Sequence, residues 1–172
     1  ELPLQLSLVE WSPDGRLILF CTVQGECHIY DGSGNPLSKV NLFANEGLNS
    51  SPLVGIHWYD GAEGYGDHNP PALAIGFENG HVQLMRVETD EQPIFLETGM
   101  RASQIQWNRS GTVLSVAGLH SGGEARDISM VQFYSPFGQH LRTLRVPGTS
   151  INALSWEGSG LRIALAVDSY IY

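Results

Sequence analysis

The chain has 172 residues, 42% of them hydrophobic and 16% charged, enough apolar material for a core and too much for a disordered tail. Nine basic residues against eighteen acidic ones leave a net charge of −9. That balance argues against nucleic acid, whose affinity comes from Lys and Arg on phosphates, and against a generic anionic membrane surface. No apolar run approaches the roughly 18 residues needed to span a bilayer. The sequence opens on Glu1 rather than Met, so targeting information is expected outside it.

In chain order, the first predicted unit holds Leu8-Val9-Glu10-Trp11, a turn at Pro13-Asp14-Gly15, and an apolar run Leu17-Ile18-Leu19-Phe20-Cys21. Pro presets φ, Asp bonds its own backbone and Gly accepts a positive φ, so the pattern is strand, tight turn, strand. Cys21 and Cys27 are the only cysteines. Two are too few for a disulfide framework, and a reducing compartment is expected. A fourth strand is expected at Leu37–Leu42.

The second unit carries Ile56-His57-Trp58, then a loop from Tyr59 to Pro71, then Ala72-Leu73-Ala74-Ile75-Gly76-Phe77. Glu78-Asn79-Gly80 before His81–Met85 is a hairpin signal, because Asn-Gly suits the primed turns that match strand twist. Ile94–Thr98 completes the unit. Acidic residues crowd between Asp60 and Gln92: Asp60, Glu63, Asp67, Glu78, Glu88, Asp90 and Glu91 stand against Arg86 alone. We read this stretch as a solvated face.

The third unit repeats Ile105-Gln106-Trp107, then Arg109-Ser110-Gly111 and Thr112–Ala117. A longer loop from Leu119 to Asp127 precedes the strand Ile128–Tyr134, with Leu141–Val146 as the outer strand. The fourth unit reads Leu154-Ser155-Trp156, Glu157–Gly160 and Leu161–Ala166, and runs out at Tyr170-Ile171-Tyr172. Asn49 and Asn108 lie in glycosylation sequons, a pattern frequent by chance.

Trp11, Trp58, Trp107 and Trp156 are spaced by 47, 49 and 49 residues. Four short strands every 40–50 residues, the first closed by Trp, identify the blades of an all-β, WD40-like β-propeller. A sandwich requires no such repeat. The chain holds about three and a half blades, as expected for part of a seven-bladed domain whose remainder lies elsewhere. The four Trp are assigned a structural role, each filling the wedge between neighbouring blades.

Catalytic chemistry is not expected, nor is any metal or cofactor. None of the six histidines stands in a metal-ligand spacing. Asp67-His68 is a lone pair of neighbours. Asp60, Glu63 and Asp67 do not follow the EF-hand order. There is no nucleophile elbow or phosphate loop. Binding is expected on the two loops that exceed what a blade needs. Tyr65, Asp67 and His68 are the candidates in one, and Arg126 and Asp127 in the other, with the loops on opposite faces.

Ile56–Tyr65, Thr98-Gly99-Met100, Ile105–Asn108, Val131–Gly138, and Ala153–Gly158 through Asp168–Tyr172 resemble the WD-repeat subunits of intraflagellar transport complex A. The resemblance runs from about Leu8 to Tyr172. It implies a non-catalytic scaffold in the cytoplasm and cilium, at axoneme and basal body, that supports retrograde transport, cilium assembly and entry of membrane cargo. The partners so implied are other subunits of that complex, a tubby-like cargo adaptor and membrane-protein cargo. A tubby-like protein with N-terminal WD repeats is similar too. It opens the alternative of an adaptor outside cilia, in a ubiquitin ligase or a coatomer-like vesicle coat. The motifs depart from ordinary repeats: Tyr30-Asp31 approximates the Trp-Asp end, whereas Met85-Arg86 and Tyr134-Ser135 do not. The usual Asp-His-Ser/Thr-Trp hydrogen-bond tetrad is not recognisable.

Overall fold

The computed structural model describes residues 5–43, 51–59, 72–123 and 126–172. Its elements are all strands, arranged as four antiparallel sheets in which each strand pairs with its sequence neighbour. Blade 1 comprises β1 (Leu6–Trp11), β2 (Leu17–Thr22), β3 (Cys27–Asp31) and β4 (Pro36–Lys39). Blade 2 comprises β5 (Leu53–Trp58), β6 (Leu73–Phe77), β7 (His81–Met85) and β8 (Ile94–Glu97). Blade 3 comprises β9 (Arg101–Trp107), β10 (Leu114–His120), β11 (Ile128–Tyr134) and β12 (His140–Arg145). Blade 4 has β13 (Ile151–Trp156), β14 (Ile163–Val167) and the short β15 (Tyr170–Ile171).

The first strands of the blades adjoin one another: β1 lies beside β5, β5 beside β9, and β9 beside β13. They form the inner wall of a propeller arc, and each ends on its Trp. The tight turn that follows is built alike in three blades. Gly15, Gly111 and Gly160 donate back to Ser12, Asn108 and Glu157, whose own amides close the next rung on Leu17, Val113 and Arg162. Side chains reinforce it where they can: Ser12 Oγ accepts from Leu17 N–H, and Asn108 Oδ1 from Thr112 and Val113.

The core consists of three apolar layers, one between each pair of neighbouring blades. Leu19, Ile29, Ile56, Ile75 and Phe77 lie between blades 1 and 2. Val82, Leu84, Ile105, Trp107 and Val116 lie between blades 2 and 3. Val131, Ile151, Leu154, Leu165 and Val167 lie between blades 3 and 4. This explains the second strands. Every residue of β6 is buried, as are the first five of β10, because each is covered by a blade on both sides. In β14 exposed or half-buried residues alternate with buried Leu165 and Val167, because only blade 3 covers it.

Two expectations shift. His120 and Leu119 belong to β10, so the loop of blade 3 begins at residue 121 rather than at Leu119. Cys21 and Cys27 are direct cross-strand partners in the β2–β3 ladder and are joined as a disulfide. The chain therefore has disulfide support at one place where none was expected. The reason is register: Cys21 and Cys27 form a non-hydrogen-bonded pair, the closer of the two antiparallel arrangements, with Cα atoms 4.3 Å apart. One bond inside one hairpin is still no framework.

Candidate interaction surfaces

The arc has two faces, set by the ends of the inner strands. On the face where those strands end, a cavity of about 400 Å³ is lined by all four Trp together with Glu10, His57 and Gln106. The Trp residues fill it unequally. Trp107 is 2% exposed in the layer between blades 2 and 3. Trp58 packs against the layer between blades 1 and 2. The Trp156 ring meets Phe133 of blade 3 edge-on at 5.9 Å. Trp11 is 50% exposed. Each Trp packs against the blade before its own, and no described blade precedes blade 1.

Two of the residues that precede a Trp, His57 and Gln106, act at the joint between blades. His57 Nδ1 accepts the backbone N–H of Trp107 at 3.3 Å. Burial pushes the His57 pKa down, so the neutral ring, which can accept, is favoured. Burial also raises the Glu10 carboxyl on the same rim. Trp156 Nε1 donates to Ser115 Oγ at 3.1 Å and to Gln106 O at 3.3 Å. The indole nitrogens of Trp58 and Trp107 are buried without a partner. Register explains the difference. Ser115 stands opposite Gln106, but Ala74 occupies the matching place in blade 2, opposite His57, and Leu19 in blade 1, opposite Glu10.

Further joints come from glutamines that sequence reasoning did not single out. Gln104 grips β13 twice, accepting from Leu154 N–H at 3.0 Å and donating to Asn152 O at 2.7 Å. Gln83 and Gln132 occupy equivalent places on third strands and donate to Asn41 O and Thr98 O, in the links from the preceding blade. An amide on an otherwise apolar strand was the available signal.

On the opposite face, Asp168 organises the entry into blade 4. It sits at φ +51° and accepts hydrogen bonds from Thr149 and Ser150, which hold its carboxyl below the usual range. In blade 2, Asn79 N–H donates to Ser51 Oγ in the same relation between turn and inner strand. Asp168 thus does part of what the unrecognised tetrad would do. Arg126 and Asp127 lie on this face, exposed, just ahead of β11. Tyr65, Asp67 and His68 lie outside the described residues. The ends of their loop, Tyr59 and Ala72, sit on the Trp face, joined by a bond from Tyr59 N–H to Ala72 O. Among the described residues, no group of three or more His, Cys, Asp or Glu is placed to hold a metal ion. No helix among them is long and apolar enough to cross a membrane.

Comparison with known proteins fits this architecture. Human and mouse WD repeat-containing protein 35 are each 50% identical over 171 residues, covering 98% of this chain. Mouse Tubby-related protein 4 is 25% identical over 200 residues, again covering 98% of the chain. The chain spans only 14% of the first two relatives and 13% of the third. The family model described as WDR35/TULP4 N-terminal, a β-propeller, matches residues 1–172. The chain therefore belongs to the WDR35/TULP4 N-terminal β-propeller family.

Proposed function

We propose that this propeller arc belongs to a non-catalytic scaffold subunit of intraflagellar transport complex A, working in retrograde transport, cilium assembly and entry of membrane cargo. The observation that carries the reading is the 50% identity to WD repeat-containing protein 35 over nearly the whole chain, joined to the motif resemblance from Leu8 to Tyr172. The use of the polar side chains supports a scaffold. His57, Gln104, Ser115 and Gln132 spend their polar atoms on backbone and indole groups of the neighbouring blade or its link. Such groups hold blades in register and leave the exposed loops to meet partners. The partners proposed are the other subunits of the complex, with a tubby-like adaptor and membrane-protein cargo. The place proposed is the cytoplasm and the cilium, at axoneme and basal body.

The similarity to Tubby-related protein 4, at 25%, favours a second reading more weakly: an adaptor outside cilia. One experiment separates them. The full-length protein is purified by affinity from ciliated cells and its partners are identified by mass spectrometry. Recovery of intraflagellar transport subunits is expected. Their absence, with ligase or coat subunits in their place, would overturn the ciliary reading.

A further inference from the structure

Charge is divided sharply along this chain. Residues 1–100 hold three basic against fourteen acidic residues, whereas residues 101–172 hold six basic against four acidic. Two of those six, Arg142 and Arg145, stand on β12, the outer strand of blade 3. No acidic residue occurs between Asp127 and Glu157, so β12 carries positive charge with no local counter-charge in sequence. Neither arginine makes an ion pair among the described residues, where the ion pairs involve Arg16, His28, Lys39 and Arg86.

β12 is also an open edge. Among the described residues it pairs with β11 on one side only. At six residues it is longer than β4 and β8, the other described outer strands, which have four each. Five of its six residues are exposed. β4 begins with Pro36, and β8 ends on Glu97. β12 holds neither a proline nor an acid.

The register says which backbone groups are free. Val146 N–H donates inward to Ser129 O. Pairing is Met130 with Arg145, Val131 with Leu144 and Gln132 with Thr143. Because the groups of an antiparallel strand alternate in direction, Thr143 and Arg145 turn their N–H and C=O outward. Side chains alternate as well, which sets Arg142 and Arg145 on opposite faces of the sheet. A strand added here would meet a cation on either side. Beside the edge, Leu141, Leu144 and Leu161 line a cleft of about 380 Å³ that takes in Arg142.

We propose that the β12 edge is a docking site for an extended acidic peptide segment of a partner protein, which adds as a further strand to blade 3. Main-chain bonds to Thr143 and Arg145 hold the segment. Carboxylates three positions apart, one on each face of the added strand, meet Arg142 and Arg145. Arginines on an edge also deter edge-to-edge aggregation. A guard of that kind predicts no saturable binding of an acidic strand, and the two roles therefore part in experiment. The inference stands apart from the ciliary assignment, since it names a chemistry rather than a complex.

The test uses the full-length protein and a fluorescent ten-residue peptide with Glu at every third position among Val, which puts carboxylates on both faces of the strand, read by anisotropy. Saturable binding that weakens with salt is expected. R142Q/R145Q should raise the dissociation constant at least tenfold, and R142K/R145K should restore most of the loss. T143P removes an outward N–H and no ladder bond, and should weaken binding while leaving the charge in place. The same peptide N-methylated at alternate amides probes the backbone bonds without altering the protein, and should not bind. Undiminished binding by R142Q/R145Q, equal binding of the methylated peptide, or no saturable binding at all would each overturn the proposal.

Discussion

At the residue scale, three tryptophans in equivalent places have unequal partners. Trp156 donates to Ser115 Oγ, while the indoles of Trp58 and Trp107 are buried without an acceptor. A buried unsatisfied donor costs about 1–3 kcal/mol. S115A is therefore expected to lower stability by about 1–2 kcal/mol in denaturant titration of the full-length protein. A74S places a hydroxyl at the matching position in blade 2. It is expected to raise stability by up to about 1 kcal/mol, the net worth of a hydrogen bond. His57 makes a pH-dependent contribution of known sign. Its folded pKa lies below the ordinary histidine value because it is buried neutral. The stability it contributes is present above pH 6.5 and is lost as pH falls through the folded pKa. H57Q, which copies Gln106 in the next blade, should flatten the fall in stability between pH 7.5 and 5.5. An unchanged slope would remove His57 from that role.

At the element scale, the strands and most turns were legible. Period-two alternation placed the inner strands, and more uniformly apolar runs placed β2, β6 and β10. The Glu78-Asn79-Gly80 turn sits where expected but is not a primed turn: Gly80 N–H bonds Phe77 O, Glu78 and Asn79 are its central residues without positive φ, and only Gly80 takes one, at +89°. The bulges were not legible. In each blade the register between first and second strands slips near the start of the inner strand, at Leu6/Leu8, Leu53/Gly55, Ala117/Gly118 and Ile151/Ala153. A bulge adds twist and bend without a distinct residue type, so composition does not announce it. Gly76 shows how tightly the blades then approach. A Cβ there would lie 2.7 Å from Ile105 Cγ2. G76A is expected to cost about 1–3 kcal/mol as overpacking. I105A, which removes Cγ2, should cost less in the G76A background than in the wild type, and a double-mutant cycle would show that coupling. Additive losses would mean that Gly76 and Ile105 do not compete for the same space.

At the scale of the whole molecule, the arc has two uncovered ends. On blade 1, Val9 is 57% exposed and Trp11 50%; on blade 4, Ile171 is 84% exposed. Apolar sheet faces left open drive association. Residues 1–172 produced alone are expected to elute as oligomers or aggregates in size-exclusion chromatography, and V9K/W11K should increase the monomer fraction. A monodisperse wild-type monomer would refute this. The candidate surfaces were only partly legible at this scale. The loop with Arg126 and Asp127 was visible as an excess over the repeat and lies where propeller geometry puts it. The β12 edge was not singled out, because Arg142 and Arg145 become a feature only once the strand is known to be outermost and unpaired.

The sequence by itself determined the repeat, the four-stranded unit, the all-β propeller and the family resemblance. The first three follow from local periodicity, turn chemistry and the spacing of four tryptophans; the resemblance rests on the matching residues themselves. Tertiary structure alone decided which indole finds a hydroxyl, that Cys21 faces Cys27, and which strand edge stays open. Those outcomes depend on what lies across a blade interface or a ladder, at sequence separations of up to about 50 residues, as between Gln106 and Trp156. A residue's type states what it can donate, accept or bury. Only its neighbour in space settles whether it does.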